Sequence, residues 1–193
     1  MFNLSKLSDE KLFVLIAEHH EDAVATLLNR YKNKIYTTAY LLVKDKYVAE
    51  DIFQEVCIKA INKIRQGEYK EDGKLLAWVS CIARNMAIDY LRVSKRRVKV
   101  TMPDGSDIFS VLDFQEKNQE DKMIDMQSHK KVRHMIGLLS EEQREVIVLR
   151  MYGNMSFKDI ATVTNTSVNT ALGRMRYALM NLRKLISEKE VVL

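Results

Sequence analysis

Apolar residues recur every three to four positions along most of the chain, and strand-type alternation is scarce, so the pattern predicts an all-α fold. The first stripe is Ala23, Leu27, Tyr31, Ile35 and Ala39, widened by Val24 and Leu28. A second runs Ile52, Val56, Ala60 and Ile64, with Phe53, Cys57 and Ile61 beside it. A third runs Leu75, Trp78, Val79, Ile82 and Met86 towards Tyr90. Three amphipathic helices of this length can bury a small core against one another. The pattern then fails at Pro103-Asp104-Gly105-Ser106, the strongest turn signal in the chain, and no sustained stripe follows until about Asp125. Periodicity returns with helix-start signals. Ser140 and Gln143 fit a capping box before Val146, Ile147 and Leu149, and Gly153 is placed to end that helix in the left-handed conformation. Ser156 and Asp159 fit a second capping box before Ile160 and Ala161. Ser167 caps a third helix, with the stripe Val168, Ala171, Leu172, Met175, Leu179, Leu182 and Ile186. The expectation is two small helical domains, residues 6–97 and 127–188, joined by a flexible linker, residues 98–126.

Charge adds a functional direction. The net charge is +5, from 31 basic and 26 acidic residues, and its distribution says more than its size. Arg92, Lys95, Arg96, Arg97 and Lys99 form one basic cluster; Arg174, Arg176, Arg183 and Lys184 form another; the stretch from Asp104 to Asp125 between them is mostly acidic. Two basic ends on an acidic connector suggest two separate contacts with a polyanion. No apolar run is long enough for a membrane span, and Met1 to Leu15 lacks a signal-peptide pattern, so a cytoplasmic protein without membrane insertion is expected. Cys57 and Cys81, the only cysteines, lie in or beside apolar stripes and read as free, core-filling thiols. Neither they nor His19, His20, His129 and His134 have metal-ligand spacing, so no metal or other cofactor is expected.

The C-terminal segment has the form of a helix-turn-helix: a short helix, a tight turn, and a longer basic helix. Ala161 is small where the helices approach, and four residues on Asn165 stands where the turn requires a positive φ. Leu172 and Met175 are placed to plug the second helix onto the first. At ~100° per residue, Thr170, Gly173, Tyr177 and Lys184 point away from the apolar stripe, flanked by Asn169, Arg174 and Arg176. Asn, Arg and Thr can read base edges in the major groove, and Gly173 removes bulk where the groove floor comes near. Arg183 and Lys184 suit phosphate.

Two stretches carry a family likeness. AEDIFQEVCIKA (49–60), with LLAWVSCIARNMAIDYLRVSKRR (75–97), resembles region 2 of the extracytoplasmic-function (ECF) sigma factors, the smallest branch of the sigma-70 family. LLSEEQREVIVLRMYGNMSFKDIATVTNTSVNTALGRMRYALMNLRKLI (138–186) resembles their region 4. The resemblance implies a non-enzymatic protein that binds core RNA polymerase and promoter DNA. Region 2 of the family docks on the polymerase clamp and melts the −10 element as single strand; region 4 binds the flap and reads the −35 element as duplex. Carried onto this chain, Glu50, Asp51, Gln54 and Glu55 become the polymerase-facing set; they are polar and off the apolar stripe of their helix. Tyr69 and Lys74, in the loop that captures a flipped base, join Arg84, Asn85, Arg92, Arg96 and Arg97 as the −10 set, with Tyr69 available to stack. Trp78 is core, and Asp89 orients a neighbouring basic side chain. The −35 set is Ser167, Asn169, Thr170, Gly173, Arg174, Arg176 and Tyr177. The family also implies an anti-sigma partner, often in the membrane. Asn165 and Asn169 stand where the family often has glycine, and Cys57 replaces an aromatic or aliphatic residue; these departures bear on promoter sequence, not on class.

Two rivals explain less. A dimeric helix-turn-helix regulator accounts for the C-terminal half but not for the run from Ala49 to Gln54 or the basic helix before the linker. A metal-dependent nucleotide hydrolase would use Glu18, Glu21 and Asp22 with Asp51 and Glu55, yet the chain has no glycine-rich phosphate loop and no evident phosphate clamp beside them.

Overall fold

The computed structural model describes residues 4–70, 72–97 and 131–190, and among these every regular element is a helix. A 3-10 turn (Leu4–Lys6) leads into α1 (Asp9–Ala17), α2 (Glu21–Val43), α3 (Lys46–Arg65) and α4 (Leu75–Arg97). After the undescribed stretch come α5, helical over 131–138, then α6 (Glu141–Met151), α7 (Phe157–Val163) and α8 (Val168–Glu190). The expected linker, with its break at Pro103, and the expected start of the second domain at residue 127 lie outside the described residues.

The N-terminal unit has four helices rather than the expected three. Leu12, Phe13 and Ile16 of α1 are buried against the core. Their signal was hidden because residues 12–17 are one unbroken apolar run, in which no period can be read. Arg30 and Tyr31 of α2 both hydrogen-bond the Asp9 carboxylate, and Arg30 also donates to the carbonyl of Leu7 at 2.7 Å, which ties α1 down. Around α2 the expected stripes hold: Ala23, Leu27, Ile35 and Ala39 are buried, as are Ile52, Val56, Ala60 and Ile64 of α3. Lys44 ends α2 in the left-handed region at φ 59°, and Asp45 then caps α3 by accepting from the Val48 amide at 3.1 Å. On α4 the buried line is Leu75, Leu76, Val79, Ala83 and Ala87, rotated from the expected one; Trp78, Ile82 and Met86 are half-buried and Tyr90 is exposed.

The second unit does not stand apart. Val146, Ile147, Val148 and Leu149 of α6 are all buried, which no one-sided helix allows. Val146 and Leu149 pack with Ile160, Ala161 and Ala171, while Ile147 and Val148 join the core of α1–α4. Two caps depart from expectation. Ser140 accepts from the Gln143 amide at 3.4 Å, but the Gln143 side chain accepts from Asn181 of α8 at 2.9 Å instead of closing a capping box. The left-handed residue after α6 is Asn154, φ 53°, not Gly153. Gly153 is needed for space: a Cβ there would lie 2.7 Å from the Leu149 carbonyl and 3.0 Å from Ser80 Cβ of α4.

Candidate nucleic-acid and protein interfaces

The helix-turn-helix is built by local bonds. Ser156 accepts from the Asp159 amide at 3.2 Å and Asp159 accepts from the Ser156 amide at 3.0 Å, so the second capping box is complete. The Ser156 hydroxyl hydrogen bond is the main cause that holds the Asp159 carboxyl below its usual range. Asn165 adopts φ 53° in the turn, as its position requires. Thr164 and Thr166, polar for such a turn, satisfy one another: their hydroxyls are 3.0 Å apart, and Thr164 also donates to the Ile160 carbonyl. Ser167 caps α8 by accepting from the Thr170 amide at 3.0 Å, and its hydroxyl lies 2.8 Å from that of Thr170.

Rotation of α8 sets what faces outward. Ala171 and Ala178 are buried, with Met175 and Leu182 packed beside them. Met175 plugs the turn as expected; Leu172 does not, being 44% exposed, and Val168, Leu179 and Ile186 of the expected stripe are exposed too. Alanine at the contact positions draws the helix in close and leaves the larger side chains on its flank. Ser167, Asn169, Thr170, Arg176 and Tyr177 are exposed. Gly173 is half-buried, but a Cβ added there would meet nothing within 4 Å. Among the described residues nothing demands glycine at that position. Arg174 is half-buried on the α6 side, where its charge helps lower the Glu142 carboxyl, behind hydrogen bonds to that carboxyl from its own backbone and from Ser140.

The α4 set is divided between solvent and partner residues. Lys74 is exposed, its backbone amide donating to Asp72 at 3.2 Å at the start of the helix. Asn85 and Arg92 are exposed, and Arg92 lies 3.4 Å from Asp89, the orienting contact expected of that carboxylate. Arg84 is different: its Nε donates to Glu145 of α6 at 2.7 Å, with the two side chains only 15% and 11% exposed. Arg96 and Arg97 fall in the last turn of α4, and their side chains lie outside the described residues. Tyr69 is not an open stacking platform. Its ring centroid is 4.4 Å from that of Trp78 and 5.3 Å from that of Phe13, so it anchors the loop to the core.

Glu50, Asp51, Gln54 and Glu55 all lie exposed on α3, with Lys59 3.7 Å from Glu55. Sequence reasoning missed the apolar ends of that surface, Tyr47 at 76% and Ile58 at 59% exposure; their spacing with Asp51 and Gln54 places all four on one outward face. It also missed Glu145, for which no local signal exists. Cys57 is buried, and burial pushes its thiol up to about 11; Cys81 is also raised, by burial, with Arg84 and Asn85 opposing. Among the described residues no group of three His, Cys, Asp or Glu side chains could hold a metal, and no helix is long and apolar enough to cross a membrane.

Comparison with known proteins matches residues 27–97 to the family model Sigma-70 region 2 and residues 129–182 to Sigma-70, region 4. The ECF RNA polymerase sigma factor SigW of Bacillus subtilis is 28% identical over 172 residues, covering 87% of this chain and 91% of SigW. SigX of the same organism is 29% identical over 168 residues, covering 85% of this chain and 84% of SigX. Among solved structures, the sigma factor RpoE in complex with the anti-sigma factor NepR from Bartonella quintana aligns with a TM-score of 0.60 at 20% identity, over 84% of this chain and 96% of RpoE.

Proposed function

The chain belongs to the ECF branch of the sigma-70 family and directs promoter-specific initiation with core RNA polymerase, and from that premise we propose how its surfaces divide the work. The exposed acidic and amide face of α3 docks on polymerase through Glu50, Asp51, Gln54 and Glu55, meeting a basic partner surface. The α4 side engages the melted −10 strand through Lys74, Arg84, Asn85, Arg92, Arg96 and Arg97, with Tyr69 holding the capture loop in place. The α8 face enters the duplex −35 element: Asn169, Thr170 and Arg176 reach base edges, Tyr177 and Arg174 flank them, Gly173 lets the groove floor approach, and Ser167 sets the helix start. The single supporting observation is the helix-turn-helix geometry, with its complete capping box, left-handed Asn165 and outward polar face on α8. The protein has no catalytic chemistry of its own and works in the cytoplasm, where an anti-sigma factor holds it inactive, as NepR binds RpoE.

The test is in vitro transcription with core polymerase on genomic DNA, mapping start sites with and without the protein. New starts are expected only when it is present. In the same assay Arg174→Ala and Arg176→Ala lose promoter selection while still binding core polymerase. Equal loss of polymerase affinity would contradict the division of labour.

A further inference from the structure

One edge of α4 meets the C-terminal unit through a few side chains between Ala77 and Lys95. Ala77 and Cys81 pack against the cluster that holds Val146, Leu149 and Met155. Ser80 faces Gly153 so closely that only a residue without a Cβ fits. One turn on, Arg84 donates to Glu145 at 2.7 Å. Near the end of the helix, the Lys95 ammonium bonds both oxygens of Glu141 at 2.8 Å. Glu141 and Glu145 are four residues apart, on one face of α6. Two carboxylates at helical spacing thus neutralise two cations of the helix assigned above to the melted strand, and one of those pairs is almost fully withdrawn from water.

We propose that this is a self-masking contact: α6 presents Glu141 and Glu145 to α4 in place of strand phosphates, so that Arg84 reaches single-stranded DNA only after α6 leaves. The inference rests on the −10 role of α4 proposed above. The physical requirement is access: Arg84 is only 15% exposed, and a phosphate brought to it would be set against the Glu145 carboxylate, a like-charge contact that opposes binding. Arg84 has a buried carboxylate on its Nε and a further bond from Nη1 to Asn85 at 3.2 Å, so the neighbouring candidate side chain is drawn into the same arrangement. Removing only the negative partner leaves Arg84 buried without compensation, which favours separation of α6 from α4. A chain that binds strand only when open has its apparent dissociation constant raised by the reciprocal of the open fraction.

The experiment uses the full chain and a fluorescein-labelled, mixed-sequence, 20-nucleotide single-stranded DNA, with affinity read by anisotropy and compactness by the radius of gyration from small-angle scattering. Glu145→Gln is expected to tighten binding on the order of 5- to 20-fold and to expand the protein. Glu141→Gln, which removes only the exposed outer pair, shifts both readouts the same way but less. Glu10→Gln, an exposed carboxylate on α1, makes the same change in net charge and sets the baseline. Circular dichroism verifies that each variant retains its helix content; if Glu145→Gln loses helix, Glu141→Gln decides by itself. Affinity no higher than the Glu10→Gln baseline overturns the proposal, as does tighter binding without expansion, or expansion without tighter binding. If wild-type protein supports transcription with core polymerase while Glu145→Gln leaves affinity flat, the self-masking alone fails; if wild-type protein gives no transcription, the family function itself fails.

Discussion

Helices α4 and α8 are both 23 residues long, and both carry candidate nucleic-acid contacts, yet they meet the rest of the molecule in opposite ways. α4 packs on α2 and α3 within its own unit and also meets the other through Ala77, Cys81 and Arg84. α8 touches its neighbours along a narrow line, Ala171, Met175, Ala178 and Leu182, and keeps most of its circumference in solvent. The difference teaches that charge on a helix does not make an accessible binding face. Arg84 and Arg176 are equally basic in sequence; one is held by a buried carboxylate and the other stands exposed.

The largest expected effect breaks the covered side. Ile147, 2% exposed, sits where α6 meets the N-terminal core, and Ile147→Ala is expected to destabilise the protein by about 3 kcal/mol in urea unfolding. Leu179, 41% exposed on α8, is its counterpart; Leu179→Ala is expected to cost under ~0.5 kcal/mol. Similar costs at the two positions would erase the contrast. Next comes Arg176→Ala, expected to weaken duplex promoter binding by about 1–3 kcal/mol with unchanged melting temperature.

Gly173 sharpens the comparison further, because fold and function pull in opposite directions there. With open space for a Cβ, Gly173→Ala is expected to stabilise α8 by roughly 0.5–1 kcal/mol while lowering −35 affinity. A destabilised variant would show that packing, not groove approach, selects the glycine. Smallest is the pH effect at the start of α7. The Asp159 carboxyl is depressed, chiefly by its bond from the Ser156 hydroxyl, so its contribution is present above the ordinary carboxylate range and is lost as pH falls through the depressed value. Thermal melts of the wild type should therefore weaken below about pH 4, and Asp159→Asn should flatten that slope. Substituting the cap itself, Ser156→Ala, is expected to cost about 1 kcal/mol at neutral pH.

Local signals were reliable where a residue acts on its own neighbours. The Ser156–Asp159 box, the left-handed Asn165 and the Ser167 cap are short-range hydrogen bonds and dihedrals, and the sequence contained all of their parts. So did the stripes of α2 and α3, whose neighbours come from the same unit. The exposed polar side chains of α3, Glu50, Asp51, Gln54 and Glu55, were legible as a surface because they sit opposite that stripe.

What the sequence determined by itself was the helical class, the turn chemistry and the identity of the charged residues, since each depends on spacings of three or four positions. Which helix faces are covered was settled by long-range packing. Glu145 meets Arg84 across 61 positions of chain, and Gly153 meets Ser80 across a comparable gap. The same distance explains why Gln143 turned to Asn181 instead of its cap, and why α8 buries alanines instead of its leucines. Contacts of that range follow from how two amphipathic surfaces fit once folded, and a helical period carries no information about them.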